Sequence, residues 1–444
     1  TLAVAMGVAG VFRGLATLAR VLLVGRSGPL RAAGVTVRSR AVAGLPGADR
    51  ALVVTVCCLM ALDASVTVRD YFGRWATSPQ VAHAFHADYA VMAAMARADL
   101  AAGRTVVLLS EHYKHPTVAF LAPETVDGAV WAGPLLALPL PVPRLGTGSG
   151  GAGAPVVYYR LAASLAGSTN AAAWLDARAT QVRRVRVAGG FTDADRRVEP
   201  VVYRYSVPRD APGASFPTGR ATAIGGEISA WPAAIVQSAP RNEVLVVPVH
   251  WRVEHVVQGD RALALHLRDA AGVTWAQADQ TGYLAEQWRV GDRVIQWFSL
   301  VLDRTMPPGD YVAHLVLADE GAQPVTAGGQ PGSAAVADIR VLPEGRRRAD
   351  DGARPVGRLG GLALMAPMSG RDAVPPGGWL EVDPLWAKWG TDPPSSLAID
   401  LVSSSGRTVR LAAVASSAPG YPPGLWRDLE LARARHRLRV PADV

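Results

Sequence analysis

The residues that could do chemistry fall into a few short clusters. Four of the nine histidines stand in pairs three residues apart, His83 with His86 and His112 with His115. On a helix that spacing puts both rings on one face, so the two pairs would make a zinc site if they met. No cysteine or carboxylate stands at ligand spacing beside them, and surface histidines are the plainer reading; no metal and no cofactor is expected. Ser110-Glu111-His112 places a nucleophile next to a base at the end of an apolar run. Neighbouring strand residues point to opposite faces, whereas a base must lie within hydrogen-bond reach of its nucleophile. No Gly-x-Ser-x-Gly turn surrounds Ser110, so no catalytic residue is assigned. Trp251, Trp275, Trp288, Trp297, Trp386, Trp389 and Trp426 offer flat apolar faces on which sugar rings could stack. Trp251 and Trp386 fall on apolar strand faces and read as core. Trp288 and Trp426 each precede a strand. With Tyr283 and Tyr421, each five residues earlier, they are the candidate carbohydrate-binding residues, and packing at a corner of the core is the competing reading. Asp269, Asp279, Asp292 and Asp303 lie at or near turns without a calcium-ligand pattern, and read as residues that bond their own backbone.

The aromatic pairs sit in a stretch that occurs twice, first between Glu243 and Leu317. Leu245, Val247, Val249, Trp251 and Val253 alternate, then Leu263, Leu265 and Leu267, then a turn at Asp269–Gly272, Tyr283, Trp288 and a third run ending at Leu302. In the second copy Leu380, Val382, Pro384 and Trp386 take the first places, followed by Leu397, Ile399, Leu401, Gly406, Tyr421, Trp426 and Leu438. Period-two alternation puts one set of side chains on one face, so each copy predicts half-buried antiparallel strands of a β-sandwich. The first sandwich is placed at 221–343, an Arg-, Asp-, Gly- and Pro-rich linker at 344–358, and the second sandwich at 359–444. Val444 corresponds to Met306, so counterparts of Pro307-Pro308-Gly309 and the strand Tyr311–Leu317 are missing. A truncated chain is the expectation, because natural sheets avoid an open edge.

The chain has 444 residues, enough for about two to four domains. Half of the residues are apolar and the net charge is +8, carried by arginine, since Lys114 and Lys388 are the only lysines. This pattern reads as GC-rich coding bias, and with no basic run interleaved with aromatics a nucleic-acid partner is not expected. Cys57 and Cys58 are adjacent and cannot form a disulfide framework. The start at Thr1, without methionine, reads as a fragment.

Residues 1–69 form an arginine-rich segment that ends in an apolar stretch over 51–68, close to the shortest length that spans a bilayer. Arg26, Arg31, Arg38, Arg40 and Arg50 precede it, which predicts that this side stays in the cytoplasm and that residues after about Arg69 lie outside. A buried soluble helix is the competing reading, favoured by Asp63. Residues 70–220 read as a small α/β unit. Val81, Phe85, Tyr89, Met92 and Met95 have helical spacing, Thr105–Leu109 is a buried strand, and a further turn of helix and a strand follow. Gly146–Gly153 is a flexible loop that lacks the Gly-Lys-Ser/Thr ending of a phosphate loop.

Several stretches together resemble a known group. They are Asp70-Tyr-Phe-Gly-Arg-Trp-Ala76, Val106–Ser110, His115-Pro-Thr-Val-Ala-Phe-Leu121, Leu265–Gly272, Ala276–Asp279, Trp288-Arg-Val-Gly291 and Pro307-Pro-Gly-Asp-Tyr311. Their order over about 51–444 is similar to the C-terminal portion of large bacterial membrane glycosyltransferases related to the protein O-mannosyltransferases. The resemblance implies a many-span membrane domain followed by an extracytoplasmic α/β segment and β-sandwich modules. It also implies a polyprenyl-phosphate sugar as donor and a catalytic acidic residue in an early membrane loop. Nothing here matches that loop, so no catalytic residue is carried over.

The fold class expected is therefore α+β and multidomain: an N-terminal membrane-type helix, a small α/β unit, and two tandem antiparallel β-sandwiches, the second incomplete. The expected function is a non-catalytic extracytoplasmic accessory region of a membrane glycosyltransferase. It would be anchored in the cell membrane by one span, with the sandwiches contacting a glycan, a polyprenyl-linked sugar acceptor or a protein acceptor. The alternative is a membrane-tethered structural or adhesion protein without enzyme activity.

Overall fold

The computed structural model describes residues 30–32, 35–37 and 47–442, except 134–135, 141–154, 163–168, 195, 209–216, 218, 234–236, 258, 281, 320, 322, 327–331, 351, 367–373, 403–405, 407 and 418–419. The glycine-rich loop at Gly146–Gly153 and the segment Thr1–Gly25 lie outside the described residues. The chain divides into two compact units, one of residues 1–87 with 186–200, the other of residues 88–185 with 201–444.

The first unit begins with a short hairpin, β1 (Leu30–Ala32) and β2 (Val35–Val37). Helix α1 (Gly47–Val68) runs for 22 residues and continues as a π-helix over Arg69–Trp75. Leu52, Leu59, Met60 and Leu62 are each about 60% exposed, and no residue from 51 to 68 is buried. Two of its three hydroxyls bond within the helix: Thr55 donates to the Ala51 carbonyl at 2.8 Å and Ser65 to the Ala61 carbonyl at 2.6 Å. Ser78 then caps α2 (Pro79–Ala84), its hydroxyl accepting from the Val81 N–H, with Pro79 at the first turn. A hairpin of β8 and β9, whose ranges follow below, completes the unit, with Phe191 packed on His83.

The second unit opens with α3 (Ala87–Ala101), β3 (Thr105–Leu109), α4 (Pro116–Leu121), α5 (Thr125–Gly128), β4 (Val130–Ala132) and β5 (Ala137–Leu140). After these come β6 (Val156–Leu161), α6 (Thr169–Arg178), β7 (Gln181–Arg186), the first-unit strands β8 (Phe191–Asp193) and β9 (Arg196–Val198), and β10 (Val201–Val207). Strands order as β4-β3-β6-β10-β7, with β4, β3 and β6 parallel and β10 antiparallel to β6. Helix α3 buries Tyr89, Met92, Ala93 and Ala96. It is fixed through Asp99, which accepts from Arg204 Nε at 2.7 Å and Nη2 at 3.0 Å, from Tyr159 Oη at 2.5 Å, and from Arg104. Burial would raise this carboxyl, but these donors outweigh it and hold Asp99 below the ordinary carboxylate range.

Strand β5 leaves this sheet and pairs instead with a strand of the first sandwich. That sandwich comprises β11 (Thr222–Ile224), β12 (Ile228–Trp231), β13 (Gln237–Pro240), β14 (Val244–Val253), β15 (Ala262–Arg268), β16 (Thr274–Asp279), β17 (Arg293–Val301), β18 (Gly309–Ala318) and β19 (Ser333–Leu342). Its sheets are β11-β12-β14-β17-β5 and β13-β19-β18-β15-β16. Between them Trp251, Val247, Val249, Leu265, Leu267, Phe298 and Leu315 are buried on the alternate positions the sequence marks. Gln287 ties the α/β part to this sandwich, accepting from the Trp131 N–H at 2.8 Å and donating to the Trp131 carbonyl at 2.9 Å. Gly282 lies against Ala137, where a Cβ would come within 2.6 Å of another Cβ, so only glycine permits the approach.

The second sandwich comprises β20 (Gly357–Leu359), β21 (Leu362–Ala366), β22 (Trp379–Val382), β23 (Leu385–Lys388), β24 (Ser396–Val402), β25 (Thr408–Ala415), β26 (Leu431–Arg433) and β27 (His436–Arg439). Sheet β20-β21-β23-β26 matches the order of β11-β12-β14-β17. The counterpart of β14 is split into β22 and β23 at Asp383-Pro384. The opposing layer is the hairpin β24–β25 alone, with no counterparts of β18 and β19 among the described residues. The turns closing β15–β16 and β24–β25 each carry a glycine in the left-handed region, Gly272 at φ 79° and Gly406 at φ 82°. The architecture is thus α+β, with an apolar N-terminal helix, an α/β part and two sandwiches that are antiparallel except where β13 runs parallel to β19.

Replacing Asp99 by Leu should cost about 3–5 kcal/mol, because Arg204 would keep its charge without a partner at a half-buried site. Urea denaturation of the variant and of wild type measures this. A change under about 1 kcal/mol would place Asp99 among the weak exposed pairs.

Candidate functional site

The two Tyr/Trp pairs fold into the same corner. In the first sandwich a 3-10 turn at Ala285–Gln287 turns Trp288 back, so that its Nε1 donates to the Tyr283 carbonyl at 3.0 Å. Tyr283 Oη donates to Asp292 Oδ2 at 2.8 Å, and the Arg289 N–H donates to the same oxygen at 3.1 Å. In the second sandwich the 3-10 turn is Pro423–Leu425, and Trp426 Nε1 donates to the Tyr421 carbonyl at 3.0 Å. Tyr421 Oη donates to Glu430 Oε1 at 2.7 Å and the Arg427 N–H to Glu430 Oε2 at 2.8 Å. The pattern is Tyr, Trp five residues on and an acid four residues later, in both copies.

Trp288, Trp426, Tyr283 and Tyr421 are 7%, 2%, 3% and 4% exposed. Neither indole face is open to a sugar ring. The sequence placed both tryptophans near a rim because each precedes a strand; the 3-10 turn instead folds the ring inward and spends its N–H on the corner.

The acids distinguish the copies. Glu430 is one methylene longer than Asp292, and its carboxylate also meets Arg241, whose Nη2 lies 2.9 Å from Oε1. Arg241 comes from the end of β13 in the first sandwich, and its side chain is fully buried. It donates further to the Met306 carbonyl at 3.1 Å and the Pro343 carbonyl at 3.3 Å, with the Tyr421 ring 5.5 Å away. Arg346 adds a second cation 3.2 Å from Glu430 Oε2. Burial raises the Glu430 carboxyl, but the Arg427 N–H, Tyr421 and Arg241 outweigh it and leave it below its ordinary value. Burial and the neighbouring carboxylate push Tyr421 up to about 12. Around this pair Arg433 N–H donates to the Thr305 carbonyl at 2.9 Å, and Arg435 Nη1 reaches the Thr274 carbonyl and stands 5.1 Å from the Trp275 ring. The 344–358 segment is drawn into the same joint: Ala349 N–H donates to the Leu429 carbonyl at 2.8 Å and Leu431 N–H to the Arg347 carbonyl at 2.9 Å. The sequence reading missed Arg241 and Glu430, and the repeated Tyr–Trp–acid spacing was the available signal for the second of them.

Ser110 is buried at the end of β3, where its hydroxyl donates to the His112 carbonyl at 2.8 Å and accepts from the His112 N–H at 3.2 Å. Its contact is with the backbone of His112, and its other partner is Tyr89 Oη at 3.2 Å. His115 stacks on Tyr89 at 3.8 Å and caps α4, Nδ1 accepting from the Thr117 N–H at 3.2 Å. His112 and His115 lie 5.7 Å apart by ring centroids, while His83 and His86 belong to the first unit. Among the described residues no three His, Cys, Asp or Glu side chains come together to hold a metal. Asp269, Asp292 and Asp303 accept from nearby backbone N–H groups, as turn residues do.

The chain leaves β3 toward β4 and leaves β6 toward the opposite side of the sheet. The carboxyl ends of those strands therefore flank a topological switch point, where open α/β sheets place ligands. Arg160 stands there, 4% exposed, 2.7 Å from Tyr205 Oη and 4.6 Å from the Tyr203 ring. A separate cleft of about 420 Å³ lies at the opposite end of β3, and its charged groups are paired, Arg97 with Glu124 and Arg104 with Asp99.

No protein-family model matches this chain, and no curated protein matches it. Among solved structures, the crystal structure of CBD12 from CALX1.2 matches at 12% identity, covering 48% of this chain and 74% of that chain, with a TM-score of 0.16. A likeness that weak carries no argument about fold or ligand.

Trp426→Ala should destabilise the chain by about 3–5 kcal/mol through the cavity and the lost corner bond. A folded variant within 1 kcal/mol of wild type would mean that the ring is not core. At the joint, Arg241→Met and Glu430→Leu should each cost about 3–5 kcal/mol, and the double variant less than either, because each single change strands a buried charge. Glu430 titrates lower folded than unfolded, so its contribution is complete above about pH 4.3 and is lost as pH falls through the depressed folded value. Urea titrations from pH 7 to pH 3 should show an acid-side loss that Glu430→Gln reduces; an unchanged acid limb would contradict the assignment.

Proposed function

We propose that this chain is a non-catalytic, membrane-tethered interaction region on the outer side of a cell membrane, accessory to a glycosyltransferase that uses polyprenyl-phosphate sugars. The observation that carries the tether is α1, which is long and apolar enough to cross a bilayer, with none of its most apolar window buried in protein. At 1.5 Å per residue its length is about 33 Å, close to a hydrocarbon core of about 30 Å. Thr55 and Ser65 already donate to their own helix, which lowers the cost of carrying these two hydroxyls into lipid. Arg26, Arg31, Arg38 and Arg40 precede α1 and Arg50 lies in its first turn, and the side that holds them stays cytoplasmic.

The link to a glycosyltransferase is supported by the ordered run of residues from Asp70–Ala76 to Pro307–Tyr311. In this reading the chain contributes contact surface and its partner contributes chemistry. Its acceptor-facing surface lies outside the four buried corner rings.

The tether is tested in bacterial cells that express the full chain. It should stay with membranes after alkaline carbonate washing, and cysteines placed at the exposed Val301 and Val402 should react with an impermeant maleimide in intact cells. Release by carbonate, or reaction only after lysis, would overturn the tether or its orientation. Full chain in nanodiscs should neither hydrolyse nor transfer a radiolabelled polyprenyl-phosphate hexose, and turnover by the chain alone would overturn the non-catalytic part.

A further inference from the structure

We propose that Tyr71, Phe72, Trp75 and Phe85 form an interfacial platform that seats the first unit in the headgroup layer of a lipid bilayer, a proposal that rests on α1 crossing that bilayer. The rings are preassembled. Tyr71 and Trp75 stack at 4.7 Å and 25°, Phe72 meets Tyr71 edge-on at 5.0 Å, and Phe85 meets Trp75 edge-on at 5.7 Å. Yet they are 50%, 42%, 42% and 66% exposed in the order Tyr71, Phe72, Trp75, Phe85. A cluster this apolar left in water loses the burial that normally drives aromatic packing, so it calls for a cover.

Position along the chain supplies the cover. The cluster begins just where α1 has run one bilayer thickness, and it is continuous with the apolar helix. Tyrosine and tryptophan, with apolar bodies and polar tips, concentrate at that depth. The charges interleaved with them suit a headgroup layer. Asp70 pairs with Arg69 at 3.0 Å and with Arg74 at 3.5 Å, and these side chains are 45–72% exposed. The Ser78 cap and Pro79 then start α2, and the residue at its end, Phe85, meets Trp75 again. Two segments are thereby tied into one patch, whereas a simple anchor needs only the first.

The test uses the full chain with Cys57→Ser and Cys58→Ser, reconstituted in phosphatidylcholine–phosphatidylglycerol vesicles. Single cysteines at Leu59→Cys, Gly73→Cys, Ala84→Cys and Val402→Cys carry an environment-sensitive fluorophore, quenched by lipids spin-labelled at shallow or deep acyl positions. The label at 59 should be quenched about twofold more by the deep lipid, those at 73 and 84 about twofold more by the shallow lipid, and that at 402 by neither. A deep label at 59 with unquenched labels at 73 and 84 would overturn the platform and leave the tether standing; an unquenched label at 59 would overturn both. Adding Trp75→Ser and Phe85→Ser should abolish quenching at 84 and leave 59 unchanged. Full quenching at 84 in that variant would show that the rings do not seat the unit.

Discussion

A buried ion pair joins the two sandwiches. Removing an arginine and a carboxylate from water costs several kcal/mol per ion even after relaxation, and Coulomb attraction offsets that only when the remaining polar atoms are also satisfied. Around Arg241 and Glu430 most of them are. Glu430 has Arg241, Arg346, Tyr421 and the Arg427 N–H; Arg241 has Glu430 and the carbonyls of Met306 and Pro343. Every one of these groups must arrive for the pair to be tolerated. The joint therefore fixes together the second corner, the end of β13, the start of the 344–358 segment and the loop before β18. An apolar joint of the same size would slide more readily; this one is held by directed bonds, with Arg241 Nε the atom of the pair left without a partner.

The consequence for function is geometric. The α/β part shares β5 and the Gln287–Trp131 bonds with the first sandwich, and the first sandwich shares Arg241 with the second. Contact surface spread over both sandwiches is thus held in one arrangement, so a partner need not meet the entropy cost of ordering two modules. This suits the interaction region proposed above. The corner aromatics serve that end by packing, and Trp426 stands within the same bonded group as the ion pair.

Much of the fold was legible from the residues. Alternation over Leu245–Val253 and Leu263–Leu267 marked the strands correctly, because both sandwich layers bury one face. The apolar run at 51–68 marked α1, to within four residues at its start. What stayed hidden depended on distant contacts. Nothing local tells Ala137–Leu140 to leave the α/β sheet for β17, or groups 186–200 with the N-terminal unit. Burial of Trp288 and Trp426 was equally hidden, since an aromatic before a strand fits a rim or a corner. Glu430 was hardest. An aspartate replaced by a glutamate reads as conservative, and its partner lies 189 residues away. The extra methylene is what lets the carboxylate serve its own corner and a neighbour at once.

If Arg241 and Glu430 hold the sandwiches in one register, the distance across the joint has one narrow distribution. Spin labels at Val301 and Val402, both exposed, in a chain with Cys57 and Cys58 replaced by serine, report the separation of the two modules by double electron–electron resonance. A single narrow distribution is expected for this chain. In Glu430→Asp, which keeps the corner carboxylate but withdraws it from Arg241, the distribution should broaden. A broad distribution in the parent chain, or a narrow one that survives Glu430→Asp unchanged, would contradict the claim.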